Sequence, residues 1–211
     1  MKKIGIFGGT FDPVHIAHLR AAEEFGEILG LDRVLMMVSA VPPHREAPTA
    51  SASDRLKMLE LAVLDNPLLE ASDLEVRRMG PSFTLETIRK IRSDFGTVMP
   101  WLALGVDAFL EIATWHKPED VLAEAHIVVL TRPGFEMDLF THVSPRFSGQ
   151  YKAENDILVH TTGATLRRVQ VTTMDVSSSS IRSLITQGKS IRYLVPQAVF
   201  KYIQQKGIYK S

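Results

Sequence analysis

Cysteine is absent from this 211-residue chain. That removes disulfide scaffolds, thiol nucleophiles, Cys-ligated zinc and iron–sulfur clusters. Net charge is lacking too, with 24 Lys+Arg against 24 Asp+Glu. Proteins that coat nucleic acid carry a basic excess, so no nucleic-acid partner is expected. No apolar run approaches the ~18 residues of a membrane span. The opening Met-Lys-Lys-Ile-Gly-Ile-Phe-Gly-Gly interrupts its apolar stretch with glycine too early for a secretory leader. A cytoplasmic chain with no membrane partner is the expectation. Two nucleotide fingerprints are missing as well. G-x-G-x-x-G does not follow the first apolar run, and no Lys follows its glycines as a P-loop requires. Val38-Ser39 ends the second apolar run where a dinucleotide-binding oxidoreductase would place an acidic residue.

What is present is enough for one domain over residues 1–211, at 45% hydrophobic residues. A chain of this size buries roughly 70% of its extended surface and needs no staples. Strand-like runs at 3–7, 33–38, 98–104 and 126–131 alternate with helical patterns at 16–29, 54–65 and 84–95. Ser53 is the expected cap of the second helix, with Leu56, Leu59, Val63 and Leu64 on one face. A weak strand is expected near 73–77. Gly30, Gly96, Gly188 and Gly207 mark helix stops. Residues 134–156 lose periodicity and read as an irregular excursion within the domain. Strands resume at 157–161 and 168–173, and helices follow from the Ser177–Ser180 tract to about 187 and over 197–206. This order predicts an α/β fold, a Rossmann-like, doubly wound parallel sheet with helices on both faces.

The first strand runs into Gly8-Gly9-Thr10-Phe11-Asp12-Pro13-Val14-His15-Ile16-Ala17-His18. In such sheets ligands collect at the carboxyl ends of strands near the switch point. Paired glycines let backbone approach a phosphate, and a following helix aims free N–H groups at it. His15 and His18, three apart at a helix start, share a face and could stabilise charge developing between phosphates. The other reading is a glycine turn with two surface histidines, and the surrounding pattern outweighs it.

Gly8 to His18 resembles the His/Thr-x-Gly-His signature of the nucleotidyltransferase superfamily, with Ala17 where the family has glycine. The string from Gly8 to His15 looks like the nicotinate-nucleotide adenylyltransferase branch. Val176-Ser177-Ser178-Ser179-Ser180-Ile181-Arg182 is similar to the superfamily's Ile-Ser-Ser-Thr-x-Ile-Arg element. Physically it is a hydroxyl-rich helix start with an arginine in its first turn, suited to pyrophosphate.

Four further elements carry both a plain reading and one implied by the resemblance. Pro42-Pro43-His44-Arg45 is a stiff loop presenting two donors, which the branch uses, with Lys for Arg45, on substrate phosphate. Ser82 and Thr84 open a helix as caps, or receive the pyridine carboxylate. Gly105 and Asp107 form a turn, or contact the nucleotide. Trp115 packs in the core, or stacks on the pyridine ring. Arg55 is read as a solvated side chain on a capped helix, Trp101 as ordinary core, and Tyr202 to Tyr209 as packing.

The resemblance thus implies adenylyl transfer from ATP to nicotinate mononucleotide, giving deamido-NAD and pyrophosphate in NAD biosynthesis. His15, His18 and Arg182 would be catalytic, and Gly8, Gly9, Thr10, Gly105, Asp107, Ser177 and Ser178 would join them on ATP. His44, Arg45, Ser82, Thr84 and Trp115 would hold the mononucleotide. Mg²⁺ is expected to arrive with ATP and several waters, with no metal ligand from the protein. The competing readings are an enzyme acting on nicotinamide mononucleotide or on both, one acting on phosphopantetheine, and a non-catalytic nucleotide-binding protein.

Overall fold

A computed structural model of the chain describes residues 2–39, 47–78, 82–96, 99–131 and 142–210. Its centre is an eight-stranded sheet in the order β3-β2-β1-β4-β5-β8-β7-β6. The strands are β1 Ile4–Gly9, β2 Arg33–Val38, β3 Leu69–Ser72, β4 Trp101–Gly105, β5 His126–Thr131, β6 Tyr151–Glu154, β7 Ile157–His160 and β8 Thr165–Gln170. From β3 across to β8 every pairing is parallel. β7 and β6 then add antiparallel strands at one edge.

The strand pattern follows from burial on both faces. In β2, Val34, Met36 and Val38 enter one apolar cluster while Leu35 and Met37 enter the other. A period of two with apolar residues at every position makes the near-continuous hydrophobic run of a central parallel strand. Helices Ile16–Leu29, Ala52–Val63, Ser178–Thr186 and Gln197–Lys206 contribute to the first cluster, and Thr84–Phe95 and Pro118–Glu124 to the second. The chain leaves β1 for β2 and β3, then returns to β4 on the opposite side of β1. The switch point therefore lies between the carboxyl ends of β1 and β4, where a crevice for ligands opens. Among the described residues no helix is long and apolar enough to cross a membrane.

Several sequence expectations hold. The first helix stops at Gly30 in left-handed backbone (φ 59°), its N–H closing onto Glu27 and Gly26 carbonyls. Ser177 caps the Ser178–Thr186 helix through a reciprocal bond pair with Ser180.

Others are corrected. The expected parallel sheet is present from β3 to β8 and carries in addition an antiparallel edge of β7 and β6, where Asn155 (φ 53°) turns β6 back onto β7. β6 and the short helix Pro145–Ser148 occupy part of the stretch read as irregular, whose residues 134–141 lie outside the described chain. The strand expected near 73–77 is instead Leu69–Ser72, since pairing with β2 fixes its place, and Leu74–Arg77 forms one helical turn. The strand expected at 168–173 starts at Thr165, where it pairs with β5 and β7. Ser51 rather than Ser53 caps the second helix, its hydroxyl accepting the Asp54 N–H at 3.1 Å. Leu64 falls past the last turn of that helix and is 76% exposed. Trp101 is only half-buried, sandwiched between the His126 ring and the Arg167 guanidinium.

Candidate active site

The segment leaving β1 turns through Phe11, a buried residue in left-handed backbone (φ 50°), and a cis Asp12–Pro13 bond before His15 starts the first helix. A bulky residue at positive φ persists only where its surroundings over-determine it. Four side chains from distant parts of the sequence, Arg55, Tyr209, Ser178 and Arg182, do so here. Buried Arg55 donates through Nη1 to the carbonyls of Thr10 and Ser39, both at 2.8 Å, and through Nε to Ala50 at 3.3 Å. The Asp12 carboxylate accepts the N–H groups of Thr49 and Ala50 and the Tyr209 hydroxyl, the last at 2.7 Å. Arg182 Nη1 donates to the Asp12 carbonyl at 2.7 Å, and Ser178 Oγ donates to the Pro13 carbonyl at 2.9 Å.

This scaffold presents two histidines in face-to-face contact. The His15 and His18 rings lie 3.6 Å apart, tilted by 20°. Burial lowers the His15 pKa from the usual 6.5 to about 4. Burial, then the neighbouring His15, lowers His18 to about 3. Both rings are therefore neutral near pH 7, each carrying one N–H. The Nδ1 atoms of both are buried without a hydrogen-bond partner among the described residues. Unpaired buried polar atoms are costly and call for an explanation. An oxyanion ligand on these rings would provide one. Among the described residues the Arg182 guanidinium contacts Asp12 through Nη1 alone, at the main-chain oxygen and, more distantly, the carboxylate.

Beside this loop, at the switch point, lies a cavity of about 220 Å³. Gly8, Gly9 and Thr10 form one wall, and Ser82, Phe83, Thr84 and Trp115 belong to the rest. Among the described residues, its two chain neighbours aside, no heavy atom stands within 4 Å of where a Cβ on Gly8 would sit. The protein's own packing does not require glycine there, which suits a position kept bare for a ligand. Opposite, the Thr84–Phe95 helix begins after Phe83 with no side-chain cap, leaving its first N–H groups unsatisfied within the helix. The Phe83 ring stacks on His116 at 4.3 Å. Buried Glu75 also lines the cavity, its carboxylate accepting the Thr87 hydroxyl at 2.7 Å.

The predicted residues thus divide. Gly8, Gly9, Thr10, Ser82, Thr84 and Trp115 share the cavity. His15, His18, Ser178 and Arg182 gather on the loop beyond Thr10. The Ser177 and Ser178 hydroxyls are already used, one as helix cap and one on Pro13, so these side chains serve the loop's architecture. Gly105 and Asp107 stand exposed at the end of β4, flanking Leu104 and Ala108, which do line the cavity. His44 and Arg45 lie outside the described residues. Half-buried Trp115 lines the cavity, so it is not a core residue alone.

Arg55 is corrected outright. Read as solvated, it is 1% exposed and ties the first loop to the end of β2. Asp12, Glu75 and Tyr209 were not foreseen. The helical spacing of Arg55 with buried Met58 and Leu59 was the available sign for the arginine.

No cluster of three acidic or histidine side chains able to hold a metal exists among the described residues. Asp12, the carboxylate nearest in sequence to the histidines, has its oxygens bonded to backbone and Tyr209.

Residues 6–184 match the model of the family described as cytidylyltransferase-like. A protein of Chromohalobacter salexigens named "Probable nicotinate-nucleotide adenylyltransferase" is 39% identical, the match covering 98% of this chain and 95% of the relative. A protein of Pseudomonas syringae pv. tomato bearing the same name is 40% identical over 100% of this chain and 95% of its own. Among solved structures, the nicotinic acid mononucleotide adenylyltransferase of Plasmodium falciparum, complexed with NaAD, superposes with a TM-score of 0.72. It is 16% identical, over 99% of this chain and 98% of that one, and so speaks to the fold alone.

Proposed function

The chain belongs to the cytidylyltransferase-like family and, within it, to the nicotinate-nucleotide adenylyltransferases; on that premise we propose that it transfers the adenylyl group of ATP to nicotinate mononucleotide, forming deamido-NAD for NAD biosynthesis. The observation that carries this reading is a neutral histidine stack at the start of the first helix, with Arg182 anchored on the loop before it, beside an aromatic-walled cavity at the same sheet edge.

A phosphate oxygen of the mononucleotide attacks the α-phosphorus of ATP. One P–O bond forms, the bond from Pα to the bridging oxygen breaks, and pyrophosphate leaves with the electron pair. Such a displacement needs alignment and charge stabilisation more than protein nucleophiles. Gly8, Gly9 and Thr10 let the triphosphate lie against backbone. His15 and His18, each with one N–H as a neutral ring, donate to oxygens around the α-phosphorus. Arg182, held at Asp12, offers its free donors to the departing pyrophosphate. Gly105 and Asp107 sit where β4 ends, in position for the nucleoside. A divalent cation, Mg²⁺ in this reading, would arrive with ATP and would lower the negative charge of its phosphates.

The mononucleotide occupies the cavity. Trp115 gives its ring a flat face, and the uncapped helix start at Thr84 gives a carboxylate N–H donors and a favourable dipole. His44 and Arg45 complete the grip on its phosphate. The cavity is not lined by donors alone, because Glu75 contributes an acceptor. Thr87 engages only its Oε1, and in this reading the donors of the helix start outweigh the remaining acceptor, so that the acid is preferred over the amide. The test is pyrophosphate release from ATP with nicotinate mononucleotide and nicotinamide mononucleotide side by side. A kcat/KM favouring the acid by about 10²-fold or more is expected from one or two mismatched polar contacts. Equal values would move the chain to a dual-specificity or amide-preferring enzyme. No pyrophosphate with either would leave a nucleotide-binding protein.

A further inference from the structure

The hydrogen bonds around Asp12 join the last residues of the chain to the arginine of the phosphate site. Tyr209 is 5% exposed, and its hydroxyl donates to Asp12 Oδ1 at 2.7 Å across 197 positions of sequence. The same carboxylate accepts the backbone N–H groups of Thr49 and Ala50, which fixes it from the other side. The main-chain oxygen of Asp12 in turn receives Arg182 Nη1, and the neighbouring Pro13 carbonyl receives Ser178 from the same helix. The loop bearing His15 and the helix bearing Arg182 thus take their mutual register at Asp12 and Pro13.

From this we infer that Tyr209 is a positioning residue for nucleotidyl transfer: through Asp12 it sets where the Arg182 guanidinium stands relative to His15 and His18. Tyr209 touches no substrate in this scheme, and the inference rests on the functional reading above. Several features favour this role over simple packing. A phenol needed only for volume would be replaced by Phe without loss. Here the hydroxyl is buried and spent on a carboxylate whose backbone is the anchor of Arg182. Burial and the bond to Asp12 raise the Tyr209 pKa well above the usual phenol range, so the group remains a donor at any working pH. Leu194, from the segment that leads into the last helix, also accepts the N–H of Ile16 at 3.1 Å. The end of the chain therefore reaches the loop on both sides of His15.

A double-mutant cycle tests this. Tyr209→Phe removes one oxygen and keeps the ring. In the wild-type background it should lower kcat/KM for ATP about 10-fold, the scale of a slightly misplaced charge-stabilising group. In the Arg182→Lys background, where the anchored fork is already lost, it should lower kcat/KM less than about 2-fold. A purely structural tyrosine would give the same factor in both backgrounds, and that result overturns the inference. So does unchanged activity of Tyr209→Phe in the wild-type background. Should Tyr209→Phe fail to fold, Asp12→Asn takes its place in the cycle with the same expectation. Wild-type turnover is measured first. A wild type inactive with both mononucleotides refutes the functional reading itself, whereas an active wild type with additive variants refutes only the role of Tyr209.

Discussion

Acidification offers a direct test of the histidine stack. A histidine in the unfolded chain titrates near 6.5, whereas His15 is lowered to about 4 and His18 to about 3 in the fold. Between those limits the unfolded state binds more protons than the native state. Stability therefore rises with pH through this window, is full above about 6.5, and is lost as pH falls towards 4. At pH 5 each histidine should have removed about 2 kcal/mol. Asp54, Glu24 and Glu124 are held below their ordinary values by hydrogen bonds and nearby cations, so their contributions are lost only at lower pH. His126 and His160 are also lowered by burial and act in the same direction, so the comparison must be differential. Urea unfolding of the wild type and of His18→Gln at pH 7.5, 6.5, 5.5 and 5.0 isolates one member of the pair. The wild type should lose about 2 kcal/mol more than the variant between the first and last of these values. Equal losses would mean that His18 ionises in the fold as readily as in the unfolded chain. The neutral stack would then be wrong.

The other expectations can be measured together. His18→Ala should lower kcat about 10²-fold or more while KM for ATP moves less, the pattern of a donor used mainly in the transition state; steady-state pyrophosphate release decides it. Trp115→Ala should weaken both mononucleotides and leave most of their kcat/KM ratio intact, because the two pyridine rings stack alike; a collapsed ratio would place discrimination on the indole. Arg55→Lys should lower the thermal midpoint, since a single ammonium cannot reach all three carbonyls and each buried acceptor left unpaired costs about 1–3 kcal/mol. Calorimetry showing no change would contradict the buried geometry of Arg55.

The fold was legible wherever local chemistry and burial agreed. β1, β2 and β5 are apolar runs of strand length, and the Ile16–Leu29 and Thr84–Phe95 helices end at Gly30 and Gly96 in left-handed backbone. Legibility failed where a neighbour decided. Leu69–Ser72 has no strand pattern of its own, with only Leu69 fully buried, and it becomes a strand because β2 pairs with it. β6 is four residues of mostly exposed Tyr-Lys-Ala-Glu at the sheet edge, so neither alternation nor an apolar run announces it. Edge strands take much of their definition from one partner, and single-sequence patterns carry little of that.

The site divides along the same line. Groups that would touch a ligand cluster in short motifs, because a loop and the helix start after it can present glycine, threonine and two histidines within a dozen residues. The groups that hold that loop come from everywhere else. Arg55 sits on a helix between apolar neighbours and looks like any solvated helical arginine until its three carbonyl acceptors are seen. Burial depresses its pKa, as expected of a cation taken out of water. Such a charge is tolerated only where fixed dipoles replace its hydration. Those dipoles are main-chain carbonyls of Thr10, Ser39 and Ala50, and carbonyls have no letter in the sequence. The same is true of Arg182, whose anchor is the Asp12 main-chain oxygen. A motif therefore names the side chains that meet the substrate, while the strained turn that aims them is held by backbone acceptors reached from residues 45 and 170 positions away. Substitutions at Arg55 or Asp12 should consequently disturb the histidine pair as surely as substitutions beside it, since Phe11 keeps its left-handed backbone only while those bonds persist.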